Sequence, residues 1–171
     1  MNLKIPKKIS PKKFLDKRGF FQENFKKNIY KFNTVFSALS FSNKNVIRGL
    51  HLQVRKQQKI LLTLVEGKIF DVCLDLRKNS KTFGKKFINI LKKGDTIFIP
   101  KGFAHGFEAI KNNSLVFYQF SEYRDRKSEI SISHNDPNLG IKWITNRPKL
   151  SKKDKKGINF NEFKIKFPRG V

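Results

Sequence analysis

Three histidines occur in the chain, and two of them sit where chemistry is possible. His51 lies within Arg48-Gly49-Leu50-His51-Leu52-Gln53, and His105 within Gly102-Phe103-Ala104-His105-Gly106-Phe107. An imidazole titrates near neutral pH, so each can act as a general base or as a metal ligand. Metal binding needs more donors. The residue two places after His51 is Gln53, and a neutral amide oxygen beside two histidines is a poor set for zinc or iron. Base catalysis needs a carboxylate to hold the imidazole, and Asp and Glu together number only 13. Each carboxylate that faces inward is therefore a candidate, although the sequence does not say which one reaches His51. A tyrosine beside a cation could serve as the matching acid. The bland alternative is that both histidines are hydrogen-bonded core residues. Arg48 does not decide the matter, because three residues of strand put it on the opposite face from His51 unless Gly49 introduces a bulge or bend.

The elements that would position these residues read as strands. Ile60 to Leu76 forms two apolar runs broken by Glu66-Gly67-Lys68, a hairpin signal. Phe87–Leu91 and Thr96–Pro100, separated by Lys92-Lys93-Gly94-Asp95, read as a second hairpin. Phe32–Phe41, Val46–His51 and Leu115–Phe120 are further strand candidates. Helical periodicity is scarce: Ser10-Pro11 could open one turn to Phe14, and Gln22–Tyr30 could hold a short helix. Short strands separated by Gly, Asn, Asp and Lys indicate an all-β sandwich or barrel with short peripheral helices. The spacing from Gly94 to His105, G-x5-P-x-G-x2-H, resembles the second half of the cupin metal signature. That likeness implies a cupin-like jelly roll, which could bring both histidines into one cavity. After Asp136-Pro137 the chain turns polar, with Trp143 and Ile144 as an anchor and Phe160, Phe163 and Phe167 marking a tail that packs on the rest. Residues 1–171 are expected to form one domain, its core roughly 18–154.

Composition narrows the setting. Eighteen phenylalanines argue for a real core despite 30% charged residues. A single cysteine, Cys73, allows no internal disulfide, and with no leader-like apolar run after Met1–Ser10 a cytoplasmic location is expected. No run approaches the roughly 18 apolar residues of a membrane-spanning helix. The net charge of +25 invites a nucleic-acid reading. The lysines, however, are scattered in pairs along the whole chain, without a basic helix, zinc-finger spacing or RNA-binding aromatic motif. A solvated basic surface is the expectation, with a field that would still attract an anionic small molecule.

An ordered set of motifs resembles the dTDP-4-dehydrorhamnose 3,5-epimerase family. The pieces are Arg18-Gly19-Phe20-Phe21-Gln22-Glu23, Arg48 to Gln53, Asp71 to Arg77, Thr82-Phe83-Gly84 and Gly102 to Phe107. They continue through Tyr118 and Glu129, Asn135-Asp136-Pro137, Ile141-Lys142-Trp143 and Leu150 to Asp154. The resemblance implies a jelly-roll homodimer without metal or cofactor, acting on a nucleotide-linked 4-keto-6-deoxyhexose. The ketone acidifies the hydrogens on its neighbouring carbons; a base removes one to give an enolate, and protonation from the other face inverts the centre. The resemblance assigns the base to His51, oriented by Asp154, and the acid to Tyr118. It places Arg48, His105, Glu129 and Lys153 around the sugar and diphosphate, and Arg18 and Glu23 at the nucleotide.

The departures fall on substrate recognition. Where the family carries Gln-x-Asn, this chain has Phe36-Ser37-Ala38, and where it stacks the thymine on tyrosine, this chain has Arg124 beside Tyr123. The enolate-stabilising lysine is Lys59 when counted from Gln57-Gln58-Lys59, but the same position counted back from Gly67 is Ile60. A different nucleotide or sugar, or inversion of a single centre, is the alternative these departures raise; a non-enzymatic basic β-barrel binding module is the other.

Overall fold

The computed structural model describes residues 3–171; Met1 and Asn2, at the head of the segment read as lacking a leader, lie outside them. The strands are β1 (Lys7–Ile9), β2 (Lys13–Asp16), β3 (Gly19–Gln22), β4 (Phe36–Ser42), β5 (Ile47–Gln53), β6 (Ile60–Glu66), β7 (Lys68–Asp75), β8 (Lys86–Lys92), β9 (Thr96–Ile99), β10 (Phe103–Ala109), β11 (Ser114–Phe120) and β12 (Glu129–Ser131). Helix α1 (Lys27–Tyr30) precedes β4, and α2 (Phe160–Lys166) follows the last strand. Two five-stranded antiparallel sheets, ordered β1-β9-β6-β11-β4 and β12-β5-β10-β7-β8, pack as a jelly roll, with the β2-β3 hairpin outside them. The all-β expectation holds.

Strand alternation sorts the apolar side chains into three clusters. Leu62, Leu64, Ile97 and Val116 of the first sheet meet Ile69, Cys73, Phe103 and Phe107 of the second, forming the core between the sheets. Phe70, Val72 and Leu74 point the other way and are covered by Leu139, Trp143 and Phe163. Leu61 and Phe98 emerge on the outer face of the first sheet, under Tyr30 and Phe32. Burial on both faces explains why β6 and β7 read as nearly continuous apolar runs.

Neither expected hairpin forms. β6 pairs with β9 and β11 while β7 pairs with β8 and β10, so the chain changes sheet at Gly67. Likewise β8 and β9, joined through Gly94, belong to opposite sheets. Both glycines have positive φ, 93° and 89°, as their turn signals require. A turn signal reports a reversal but does not say which sheet the next strand joins, and double-faced burial lets each strand find partners elsewhere.

The peripheral expectations need smaller corrections. Ser10 does not cap a helix; its hydroxyl donates to Asp95 at 2.7 Å, tying the N-terminal segment to the β8–β9 turn. Of Gln22–Tyr30 only Lys27–Tyr30 is helical. The packed tail contains helix α2. It is closed by a capping box in which the Asn159 side chain accepts from Glu162 N and the Glu162 carboxylate from Asn159 N. Its Phe163 is fully buried against the outer face of the second sheet.

Candidate active site

β5 runs between β12 and β10, and its register sets His51 directly opposite His105. The same register answers the question of Arg48. Between the pairs His105↔His51 and Phe107↔Arg48, β10 advances two residues and β5 three. This bulge at Gly49-Leu50 turns Arg48 onto the face of His51. Gly49 permits it, having φ 107° and its α-carbon so close to β10 that an added Cβ would sit 2.5 Å from His105 O. Leu50 and Leu52 meanwhile point into the outer cluster.

A cavity of about 450 Å³ opens between the sheets on this face. One wall carries Arg48, His51, His105, Ser151, Lys153 and Asp154; the other, from β4, β6 and β11, carries Phe36, Ala38, Ser40, Ile60, Tyr118 and Phe120. Among the described residues, the His51 ring nitrogen Nε2 donates to Asp154 Oδ1 at 2.5 Å. Asp154 is buried at the start of a 3-10 turn (Asp154–Lys156), where the Ser151 hydroxyl also donates to its carboxylate at 2.8 Å. Burial pushes the Asp154 carboxyl up, but the His51 contact, the Ser151 hydroxyl and the Lys153 charge outweigh it and hold the pKa below its ordinary value. An ionised carboxylate only accepts, so the proton sits on Nε2 and the lone pair on Nδ1. That tautomer leaves Nδ1 free to accept a proton.

Tyr118 stands on the facing sheet, its hydroxyl 3.5 Å from Ser40 Oγ. Burial raises its pKa to about 12 against the smaller opposing effects of the Ser40 hydroxyl and the Arg48 charge, so it is a protonated donor. Its ring opens a run of nearly parallel aromatic planes, Tyr118–Phe120 at 5.6 Å, Phe120–Phe36 at 4.4 Å and Phe36–Tyr123 at 6.2 Å. At the rim, Glu129 accepts from Arg124 Nε at 2.7 Å and from Lys153 Nζ. Partial burial raises the Glu129 carboxyl, yet these two cations lower its pKa to about 2.

Other expected residues lie elsewhere. Lys59 does not face the cavity: its ammonium donates to Lys31 O at 3.3 Å on the exposed side, and Ile60 lines the cavity instead. The alternation of β6 dictates this, since Ile60 shares a face with Leu62 and Lys59 does not. Arg18, with a side chain 91% exposed, forks onto Asp16 in the β2–β3 hairpin, and Glu23 pairs with Lys26 at 2.6 Å. Neither lines the cavity of its own chain.

Sequence reasoning missed Asp71, Ser40 and Ser151. Asp71 is fully buried and accepts from His105 Nε2 at 2.6 Å; a carboxylate inside the apolar run Phe70-Asp71-Val72 was the available signal. Asp71, Cys73 and His105 form a group whose donor atoms lie within 4.8 Å of one another, but they fit a metal poorly. Burial, the Asp71 charge and its hydrogen bond push the Cys73 thiol well above its ordinary pKa, whereas a metal takes the thiolate. Gln53, at the other position a metal would use, is committed to the loops, donating to Lys56 O and Tyr123 O and accepting from Asp125 N.

The fold is a cupin-type jelly roll whose cavity sets a carboxylate-held histidine on one sheet against a tyrosine on the other. The chain belongs to the dTDP-4-dehydrorhamnose 3,5-epimerase family, whose model matches residues 2–162. It is 36% identical over 161 residues to the enzyme of that name from Shigella flexneri, covering 89% of each chain. It is 38% identical over 159 residues to the one from Neisseria gonorrhoeae, covering 88% of this chain and 48% of that protein. The crystal structure of the Legionella pneumophila dTDP-6-deoxy-D-glucose-3,5-epimerase in complex with dTDP-4-keto-L-rhamnose superposes with a TM-score of 0.90 at 35% identity. That match covers 97% of this chain and 93% of the other.

Proposed function

We propose that this chain epimerises a nucleotide-linked 4-keto-6-deoxyhexose, of the dTDP-4-dehydro-6-deoxyglucose type, in deoxysugar biosynthesis. The observation that carries the reading is the placement of His51, backed by Asp154, and Tyr118 on facing walls of one cavity. His51 Nδ1 removes the hydrogen on a carbon next to the ketone, and the imidazolium that forms is stabilised by Asp154. The electron pair moves to the ketone oxygen as an enolate. Tyr118 then delivers its hydroxyl proton to that carbon from the opposite face, which inverts it, and solvent restores both groups.

The rim suits the rest of the substrate. Arg124 and Lys153 around Glu129 offer cations for a diphosphate. His105, fixed by Asp71, presents its other nitrogen to the sugar. A homodimer goes with this reading. The β2–β3 hairpin exposes Phe14, Leu15, Phe20 and Phe21, a patch that favours association, and a second copy's hairpin could bring its Arg18 and Glu23 to the nucleotide. Light scattering at micromolar concentration tests the dimer. A cytoplasmic setting agrees with a buried, unpaired Cys73 and, among the described residues, no helix long and apolar enough to cross a membrane.

Incubation in deuterated water with dTDP-4-keto-6-deoxyglucose, followed by NMR, tests the reaction. Exchange at both carbons flanking the ketone, abolished by His51→Ala, is the expected result. Exchange at one carbon identifies a single-centre epimerase. No exchange with this or the GDP-, CDP- and UDP-linked ketosugars overturns the reading.

A further inference from the structure

An enolate formed in this cavity carries a full negative charge on the former ketone oxygen, and a preorganised cation beside it lowers the barrier. The cations lining the cavity are Arg48, Arg124 and Lys153. Arg124 and Lys153 share the Glu129 carboxylate at the rim. Arg48 has no carboxylate partner among the described residues. Its guanidinium is held by neutral groups, Nε donating to Ser42 Oγ at 2.9 Å and Nη2 to Phe41 O at 2.8 Å. It is also the cation whose charge acts on the Tyr118 hydroxyl. The apolar wall offers no substitute, because Ile60 occupies the inward position of β6 and Lys59 points away.

From this arrangement we infer that Arg48 is the catalytic residue that stabilises the enolate oxygen, in place of an ammonium group from β6. The inference rests on the epimerase reading. The β5 bulge gives Arg48 its inward direction, and the two tethers to β4 fix the guanidinium before the charge develops. A charge so held is worth most in the transition state, and its effect falls on kcat. A diphosphate anchor would act on nucleotide affinity instead.

Arg48→Gln and Arg48→Lys separate the two roles, with kcat followed by deuterium exchange into dTDP-4-keto-6-deoxyglucose and the Kd of dTDP alone measured by calorimetry. Arg48→Gln is expected to lower kcat by about 100-fold or more, leaving the dTDP Kd within about two-fold, while Arg48→Lys, which keeps the charge, loses about ten-fold or less. Ile60→Lys added to Arg48→Gln is expected to recover part of kcat, by returning a cation to the cavity from the facing wall. Ser42→Ala, which frees one tether and keeps the fold, is expected to lower kcat several-fold with unchanged dTDP affinity. Equal losses in the Gln and Lys variants, or a ten-fold weaker dTDP Kd with kcat intact, overturn the inference. A wild-type protein that exchanges no deuterium overturns the epimerase reading itself.

Discussion

His51 and His105 face each other across one pair of strands, yet each is bound to a different carboxylate, Asp154 for the first and Asp71 for the second. The two dyads are not equivalent. The His51 side chain is 35% exposed and that of His105 only 7%. On the proposed reading the open one exchanges protons with substrate and water, and the closed one holds a sugar oxygen in place.

Replacing Asp154 with Asn tests the first dyad. An amide can donate to Nε2 and so favour the wrong tautomer, with the proton on Nδ1. The expected loss in kcat is about 10²- to 10⁴-fold, with the melting temperature changed by a few degrees at most. A kcat near wild type would remove Asp154 from the mechanism.

Tyr118→Phe separates proton removal from inversion. Deuterium exchange at the substrate carbon should persist through His51, while net inversion falls by about 10²- to 10⁴-fold. Because burial raises the wild-type hydroxyl to about 12, the acid stays protonated through neutral pH and well beyond. The pH–rate profile should therefore show no alkaline limb from this group below about pH 10. A limb near neutrality that vanishes in Tyr118→Phe would contradict this.

The Glu129 cluster links acid stability to the cavity rim. Its folded pKa of about 2 lies below the ordinary 4.5, so its contribution is fully present above the unfolded value and is lost as pH falls through the folded one. The window is about pH 5 to pH 2. With Arg124 and Lys153 half exposed, solvent screening limits the effect to about 1–2 kcal/mol. Glu129→Gln should flatten the stability curve in that window, as read by urea titration at several pH values. An unchanged curve would show that the pair is solvated away.

Gly49→Ala strikes the close approach of β5 to β10. The added Cβ would meet His105 O at 2.5 Å and Gly106 Cα at 2.7 Å, both backbone atoms that cannot swing aside. A loss of more than about 2 kcal/mol is expected, together with a lost register between His51 and His105. Thermal denaturation reads the first and catalytic activity the second.

Much of this site could be read in the sequence because the family resemblance rests on side chains capable of chemistry, and His51, Tyr118 and Asp154 meet in one cavity. Strand positions were legible through two-residue alternation. Pairing was not. The turns at Gly67 and Gly94 looked like hairpins, since nothing local records that the next strand crosses to the other sheet. The Arg48 direction depended on a bulge that shows only when β5 is laid against β10. Helix α2 was readable in principle, because Asn159 and Glu162 spell a capping box and Phe160, Phe163 and Phe167 follow helical spacing.

The proposed base and acid come from different sheets, which are tied beside the site by the Arg48 hydrogen bonds to Ser42 and Phe41. Their separation is set as well by the apolar side chains packed between the sheets, Leu62 and Val116 on one side and Phe103 and Phe107 on the other. The core therefore acts as a calliper. A methylene gained or lost there opens or closes the jaws on a sugar ring whose two faces must be touched in turn. The demand for contact on both faces thus extends to Leu62 and Val116, which lie behind the cavity lining.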